Sequence, residues 1–179
     1  MILETERLIL RSWMETDVEM VYNCCKEPEL GENCGFPVHK SKEDAMYVLR
    51  NILMAPLSYA IVERKSNQVI GSISIKLQNE SNVAISENEG EIGYWIGKDY
   101  WNKGYASEAC SRIVQYALDD LEMDCLWAGY FEGNNQSKRV LEKVGFVYQY
   151  TNKDVYWEIV DRTYTEHITK LERELYLHK

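Results

Sequence analysis

The sequence lacks the features of a membrane, secreted or metal-binding protein. It has no apolar run near the roughly 18 residues that a membrane-spanning helix needs. Its N-terminus carries Glu4, Glu6 and Arg7, where a signal peptide would be basic and then apolar. The five cysteines are an odd number and show no C-x-x-C spacing. We therefore expect a cytoplasmic protein with reduced thiols, no membrane segment and no metal site.

Basic residues are in the minority, with 20 lysines and arginines against 29 acidic residues and a net charge of −9. Sequence-independent binding of nucleic acids relies on lysine and arginine to neutralise phosphates, so this balance argues against a nucleic-acid partner. It suits a cationic or amine-bearing partner, although an acidic surface is also a common route to solubility. The length of 179 residues and the apolar fraction of 45% are those of one ordinary globular domain.

Hydrophobic periodicity predicts a single mixed α/β domain that spans residues 1–179. Strands are expected at 8–11, 58–63, 69–77, 91–96 and 126–131, and strand-like segments at 146–150, 155–160 and 163–171. Helices are expected over 17–25, from Ser41 onward, over 105–120, and after a polar cap at 134–137. Residues 27–40 contain several prolines and glycines, which favours a loop.

Residues 91–109 combine an apolar strand, a short loop and a small-residue turn that opens a helix. The N–H groups of a first helical turn have no partner within the helix and lie at the positive end of its dipole. This arrangement favours a phosphate or pyrophosphate ligand. The turn matches neither the P-loop pattern nor G-x-G-x-x-G, so both of these nucleotide-binding classes are disfavoured.

A second block places a polar cap at 134–137, a short helix, a stop at Gly145 and a strand in close order. Together the two blocks resemble the GNAT superfamily of acyl-CoA-dependent N-acyltransferases. Residues 3–11 resemble the T-E-R-L-x-L-R opening of the RimJ/RimL-type ribosomal-protein N-terminal acetyltransferases, residues 69–73 their I-G-S hairpin, and residues 161–167 their closing N-G-x-Y-x-D-H turn. The resemblance covers the whole chain. It implies a mixed central sheet of about seven strands flanked by about four helices, with strands 91–96 and 126–131 splayed apart.

The resemblance implies acetyl-CoA as the cofactor, with its pantetheine arm in the gap between the splayed strands. The backbone of the first splayed strand would pair with the arm through Tyr94, Trp95 and Ile96. The pyrophosphate would be held by backbone N–H groups of Asn102, Lys103, Gly104, Tyr105, Ala106 and Ser107. Gly104 agrees with this role because glycine lets a backbone approach a ligand closely. Asn134 would contact the pantetheine or thioester region, or would only cap the following helix.

Two positions depart from the common GNAT pattern. Trp101 stands where many members have glutamine or arginine, although tryptophan there resembles the RimJ/RimL branch. Leu141 stands where many members have a tyrosine that protonates the leaving thiolate. A tyrosine acid at that position is therefore excluded in this chain.

Acetyl transfer requires a neutral amine, so a carboxylate or a water chain must take the proton of an ammonium group. The resemblance implies Glu158, three residues before Asp161, as this base, and Ser137 as the proton donor to the thiolate. Ser137 is equally explained as part of a helix cap. Glu91 on the splayed strand is the rival base, and it is equally explained by pairing with a lysine. We expect direct attack by the amine, with a backbone N–H such as that of Ile96 polarising the carbonyl group.

The acceptor pocket is expected between residues 27–40 and the closing strands, with walls from Trp13, Tyr22, Phe36 and Tyr156. Such aromatic residues are also common in an ordinary core. The acceptor is an amine, either a protein N-terminus or a small molecule such as a polyamine, aminoglycoside or amino-acid analogue. A CoA-binding sensor without catalysis is the third reading. The exposed edge of the final strands is compatible with a homodimer.

Overall fold

The computed structural model describes residues 1–84 and 86–178, and within these residues it contains eight strands and six α-helices. The strands are β1 (Ile2–Glu4), β2 (Leu8–Arg11), β3 (Ser58–Glu63), β4 (Gln68–Lys76), β5 (Glu89–Ile96), β6 (Cys125–Phe131), β7 (Val147–Trp157) and β8 (Arg162–Glu172). The helices are α1 (Val18–Cys25), α2 (Pro28–Cys34), α3 (Lys42–Val48), α4 (Tyr105–Gln115), α5 (Asn135–Val144) and α6 (Arg173–Leu177). Each of these helices is too short or too polar to cross a membrane.

All eight strands form one sheet in the order β1-β2-β3-β4-β5-β6-β8-β7. Neighbouring strands are antiparallel except for β5 and β6, which run parallel because α4 crosses between them. This parallel pair is short: Glu89, Gly90 and Glu91 lie opposite Cys125, Leu126 and Trp127, and the two strands then separate. The prediction of a mixed sheet with splayed strands at this place is therefore confirmed.

The sheet has a hydrophobic core on each face. On one face, α4 buries Ala109, Ile113 and Val114 against Ile92 and other side chains of the strands. These three positions recur at helical spacing, which explains why residues 105–120 form a helix with one apolar side. A π-helical turn, Tyr116–Asp120, continues α4 to the predicted end.

The second core joins the opposite face to the helical segment before β3. Val21, Leu30 and Leu49 from this segment are buried together with Ala60 of the sheet. The predicted start of α3 at Ser41 is confirmed: Ser41 Oγ accepts from the Asp44 N–H at 3.2 Å, and Asp44 Oδ2 accepts from the Ser41 N–H at 3.2 Å. This reciprocal pair is a capping box.

The number of elements differs from the expectation of about seven strands and four helices. One added element is α2, which occupies the predicted loop 27–40. Pro28 stands at the first helical position, where its missing N–H costs nothing, and Gly35 ends the helix with φ of +71°. Proline and glycine therefore mark the two ends of this helix rather than a loop.

The closing strands also differ from the prediction. The segments at 146–150 and 155–160 are largely one strand, β7, whose pairing with β8 shifts between Tyr148 and Tyr150 and again between Asn152 and Val155. Such bulges leave a residue unpaired and bend a strand without ending it. The prediction of two separate strand-like segments is therefore wrong, because β7 continues through residues 151–154.

Candidate active site

The gap between β5 and β6 opens into a cavity of about 250 Å³, here called the first cavity. It lies between the end of β5, the start of α4 and the start of α5. Its lining includes most of the residues predicted to hold the cofactor: Tyr94, Trp95, Ile96, Asn102, Gly104, Tyr105, Ala106, Ser107 and Asn134. Lys103 is the predicted residue outside this lining, and its ammonium group lies 5.2 Å from the centre of the Tyr100 ring.

The start of α4 presents free backbone N–H groups to the first cavity. The helical hydrogen bonds begin with Glu108 N–H to Gly104 O at 3.1 Å, so the N–H groups of Tyr105, Ala106 and Ser107 have no acceptor in the helix. Gly104 has φ of +81°, a left-handed conformation that glycine adopts without strain. The turn therefore has the geometry of an anion site.

The segment between β1 and β2 holds this turn in place. Glu108 Oε1 accepts from Thr5 Oγ1 at 2.6 Å and from the Arg7 N–H at 2.9 Å, and Arg7 Nε donates to Glu108 Oε2 at 2.6 Å. Arg7 Nη1 also donates to the Lys103 carbonyl at 2.9 Å. We call Thr5, Arg7 and Glu108 the Glu108 clamp. It gives a physical reason for the Thr-Glu-Arg motif at the start of the chain.

Trp101 joins the turn to the splayed strand. Its indole N–H donates to the Ile96 carbonyl at 2.6 Å, and its ring packs against both cores. The tryptophan that departs from the common GNAT pattern thus fixes the distance between β5 and α4.

On the opposite side of the first cavity, Asn134 and Ser137 begin α5. Asn134 Oδ1 accepts from the Ser137 N–H at 3.1 Å, and Asn134 Nδ2 donates to the Asn33 carbonyl at 3.2 Å. Asn134 is therefore a helix cap that is also tied to α2. Tyr94 Oη donates to the Ser137 carbonyl at 3.4 Å. Burial raises the pKa of Tyr94 well above its usual value, which keeps this hydroxyl protonated.

Positive charge reaches the first cavity from α5. Arg139 and Lys143 both line it. Lys98, by contrast, forms an ion pair with Glu29 at 2.7 Å. The cations of α5 and the free N–H groups of α4 together favour an anionic ligand between the two helices.

A second, larger cavity of about 840 Å³ adjoins the first. Three residues line both cavities, namely Tyr94 and Trp95 of β5 and Cys34 of α2. Burial raises the pKa of the Cys34 thiol to about 12, so it stays protonated at neutral pH. The two cavities therefore meet at Cys34, Tyr94 and Trp95, beside the part of β5 that is no longer paired with β6.

The residues predicted as acceptor walls are dispersed. Phe36 lines the second cavity. Trp13 is buried in the second core with its ring centre 6.4 Å from that of Trp95, and Tyr22 packs against the same core. Tyr156 is exposed, and its hydroxyl donates to Asp161 Oδ1 at 2.7 Å. Contact of Trp13, Tyr22 or Tyr156 with an acceptor stays a prediction.

The two carboxylates predicted as bases have different surroundings. Glu158 is exposed in a 3₁₀ turn after β7, and its neighbour Ile159 lines the second cavity. Glu91 is held by two partners: its Oε1 lies 3.1 Å from Lys76 Nζ, and its Oε2 accepts from Ser81 Oγ at 2.8 Å. The lysine partner expected for Glu91 as an alternative is therefore Lys76.

A third carboxylate, Glu166, was not among the predicted site residues. It lies opposite Phe131 in the pairing of β8 with β6 and rests on Gly129, where a Cβ atom would lie 2.5 Å from Glu166 Oε1. Among residues 1–84 and 86–178, no side chain forms a hydrogen bond or ion pair with this carboxylate. Burial raises the pKa of Glu166, the Glu91 carboxylate raises it further, and Lys76 opposes both.

The sequence contained one sign of Glu166. It occupies the acidic position of the closing motif at 161–167. Its nearness to Glu91 could not be foreseen, because this depends on how β8 pairs with β6.

Comparison with known proteins agrees with this geometry. The Acetyltransferase (GNAT) domain family matches residues 7–147, and the chain belongs to this family. An uncharacterized N-acetyltransferase of Bacillus subtilis, YoaA, is 31% identical over 150 residues, which cover 81% of this chain and 82% of YoaA. The protein is therefore an N-acetyltransferase, and its cofactor is acetyl-CoA.

Solved structures share the fold at low sequence identity. A GNAT-family acetyltransferase from Bacillus anthracis has a TM-score of 0.85 at 23% identity and covers 97% of this chain and 99% of its own. A ribosomal-protein-S5-alanine acetyltransferase from Vibrio fischeri has a TM-score of 0.72 at 18% identity and covers 97% of each chain. A spermidine N-acetyltransferase from Vibrio cholerae, solved with CoA and spermine, has a TM-score of 0.78 at 14% identity. The match covers 97% of this chain and 99% of the spermidine enzyme.

Proposed function

We propose that this enzyme transfers the acetyl group of acetyl-CoA to the N-terminal α-amine of a polypeptide, as a member of the RimJ/RimL-type branch. The observation that carries the proposal is the meeting of the two cavities at Tyr94, Trp95 and Cys34. A donor in the first cavity and an acceptor in the second would approach each other there. The second cavity lies within the usual range for ligand sites, about 300–1,000 Å³, and has room for more than an amine group.

The position and charge of the first cavity suit the pyrophosphate and pantetheine groups of acetyl-CoA. The N–H groups of Tyr105, Ala106 and Ser107 would hold the pyrophosphate, with Arg139 and Lys143 supplying positive charge. The unpaired edge of β5 beyond Glu91 would hold the pantetheine arm as an added strand. Bound acetyl-CoA supplies the acetyl group as a reactive thioester.

The chain's own residues must remove a proton from the acceptor, because an ammonium group has no lone pair for attack. Among the three candidate bases, the surroundings of Glu166 favour it. Its carboxylate is half-buried and has no hydrogen-bond or ion-pair partner among the described side chains, whereas Glu91 is engaged by Lys76 and Ser81, and Glu158 is exposed. We propose that Glu166 accepts this proton, directly or through one water molecule.

The leaving thiolate must in turn gain a proton. Ser137 remains our proposed donor because it lines the first cavity. The Tyr94 hydroxyl, which donates to the Ser137 backbone carbonyl at 3.4 Å, stays protonated and is the second candidate donor.

A small amine is the second candidate acceptor. It is favoured by the proximity of Glu91 and Glu166, because two carboxylates attract a cation. The spermidine N-acetyltransferase that shares this fold acts on such a molecule.

The test is CoA release measured with a thiol reagent on three matched acceptors. These are a peptide with a free N-terminus and no lysine, the same peptide with a blocked N-terminus and one lysine, and spermidine. We expect release with the first peptide and little with the other two. Faster release with spermidine would support the small-amine reading. Tight CoA binding without release on any acceptor would identify a sensor and overturn the proposal.

A further inference from the structure

The mouth of the second cavity is formed by exposed apolar side chains. Tyr47, Ile52 and Ile159 all line the cavity and are 67%, 55% and 64% exposed. They come from three places in the chain: α3, the π-helical turn after it, and the 3₁₀ turn after β7. A group of large apolar side chains around one opening indicates a binding surface, whereas apolar residues scattered singly over a surface are normal.

The apolar lining continues inward to the point where the two cavities meet. Phe36, Val48, Leu53 and Pro56 line the walls, and Trp95 lies at the inner end. An apolar group that entered at Ile52 would therefore remain in contact with apolar atoms as far as β5. Each such contact removes surface from water and stabilises the complex.

The charges of the second cavity do not suit a polycation. Among the described residues of its lining, the charged side chains are Lys40, Asp44, Lys76 and Glu80, two of each sign. Lys76 is paired with Glu91, and Asp44 Oδ2 accepts from the Lys40 N–H at 2.8 Å. A polyamine needs several available carboxylates along its length, and this lining has no surplus of them.

His39 adds no charge of its own to this cavity. Its side chain is buried, and burial lowers its pKa although Asp44 opposes the shift. The imidazole is therefore neutral at pH 7. The lining as a whole is apolar with a balanced charge.

We propose that the acceptor is a polypeptide whose first residue has a large apolar side chain, and that this side chain occupies the second cavity. The α-amine then points to the gap between β5 and β6, where the carboxylate of Glu166 supplies negative charge. This inference rests on the proposed acetylation of a polypeptide N-terminus and specifies which N-termini are used.

The test compares peptides of one length that differ only in their first residue: phenylalanine, leucine, serine or lysine. We expect kcat/KM to be about tenfold or more higher for phenylalanine and leucine than for serine, because a buried large side chain is worth at least that factor. Titration of the same peptides into the enzyme saturated with CoA gives the affinity without any reaction. The dissociation constants should follow the same order.

A matched pair of variants connects the preference to the cavity. Ile52→Ser changes an apolar residue at the mouth, and Leu175→Ser changes one in α6 that is also 55% exposed. Ile52→Ser should reduce the ratio of phenylalanine to serine activity severalfold, whereas Leu175→Ser should leave it unchanged. An unchanged ratio in Ile52→Ser would overturn the inference.

The outcomes also separate the inference from the function on which it rests. Equal activity on all four peptides, or a preference for serine or lysine, would overturn the apolar preference and leave N-terminal acetylation intact. Inactivity on all four peptides together with rapid acetylation of spermidine would overturn both.

Discussion

A carboxylate serves as a base only when it is deprotonated and is not held by stronger partners as the amine arrives. Glu91, Glu158 and Glu166 differ in this respect. Lys76 and Ser81 hold Glu91, and water surrounds Glu158. Glu166 is half-buried, no side chain in the described part of the chain pairs with it, and its pKa is raised above that of an ordinary glutamate.

Replacement of this carboxylate tests its role. Glu166→Gln should lower kcat by about 10²–10⁴-fold, because proton transfer to a placed base contributes a factor of this size. The wild-type kcat/KM should rise with pH as Glu166 loses its proton, and the raised pKa places this rise above the range of an ordinary glutamate. In the variant this rise should disappear. The measurement is a pH–rate profile with saturating acetyl-CoA.

Glu158→Gln is the matched control, because it also removes one negative charge but at an exposed position. Melting temperature and CoA affinity should remain close to those of the wild type in Glu158→Gln, since its side chain is exposed. A large loss of kcat in Glu158→Gln, with a normal profile in Glu166→Gln, would return the role of base to Glu158.

Single residues differ in how far the sequence reveals them. Leu141 could be recognised as unable to donate a proton from its type alone, and it is buried in the core. For Glu166 the sequence reveals only its position in a motif. Its environment depends on Gly129 and Glu91, which lie on other strands. Local identity is visible in a sequence, whereas the electrostatics of a residue depend on neighbours that are distant along the chain.

Among the elements, α4 owes its position to contacts outside its own sequence. The Glu108 clamp joins its first turn to the segment between β1 and β2. Burial would raise the pKa of Glu108, but the hydrogen bonds from Thr5 and Arg7 outweigh this and lower it. The clamp therefore stabilises the folded state in the pH range where Glu108 is ionised.

Removal of this charge should destabilise the protein in a pH-dependent way. We expect Glu108→Gln to cost about 1–2 kcal/mol at pH 7, as a partly exposed ion pair with added hydrogen bonds. The pKa of Glu108 in the folded protein lies below the usual 4.5. The difference in the free energy of unfolding between wild type and variant should therefore have its full size above pH 4.5. It should shrink as the pH falls through the folded pKa. Denaturant unfolding of both proteins over a pH series measures this difference in stability. Glu108→Gln should also bind acetyl-CoA more weakly than the wild type does.

The exposed ion pair of Lys42 and Glu19, at 2.5 Å, provides the control for this variant. Both of its side chains are more than half exposed. Glu19→Gln should therefore change the free energy of unfolding much less than Glu108→Gln does, because exposed ion pairs contribute little to stability. An equal effect of the two substitutions would contradict a special role for the clamp.

Most elements could be predicted because each has a regular apolar pattern, as β4 and α4 show. Four elements are not predicted as the structure has them: the short elements β1 and α6, the helix α2, and β7 as one continuous strand. In α2, Pro28 and Gly35 act as helix ends, and the same residues are typical of loops. In β7, bulges place polar residues inside a strand, where they imitate a turn.

At the scale of the whole molecule, the sheet consists of two parts whose strand pairing is short at one place. β1 to β5 form one part, β6 to β8 the other, and only a short parallel contact connects β5 with β6. Acetyl-CoA in the first cavity would contact β5 and α4 on one side and α5 on the other. A ligand in this position should therefore strengthen the junction.

Cofactor binding should raise the melting temperature strongly. At a CoA concentration about 100 times its dissociation constant, mass action contributes about 2.7 kcal/mol. For a chain of this size that corresponds to a rise of about 5–10 °C. Thermal melts over a CoA series measure the effect, and hydrogen exchange should slow most in β5 and β6. A comparable rise with adenosine alone, which lacks the pantetheine arm, would contradict bridging by that arm.

The two cavities differ in how their residues are distributed along the chain. The first is encoded mainly by two compact stretches, at 94–107 and 134–143. The second gathers its lining from residues between 25 and 95 and from Ile159. If the first cavity holds the donor and the second the acceptor, as proposed, most acceptor positions can change in evolution while the two donor stretches stay the same. A family with this architecture can therefore acquire new acceptors by substitutions that leave its acetyl-donor site intact.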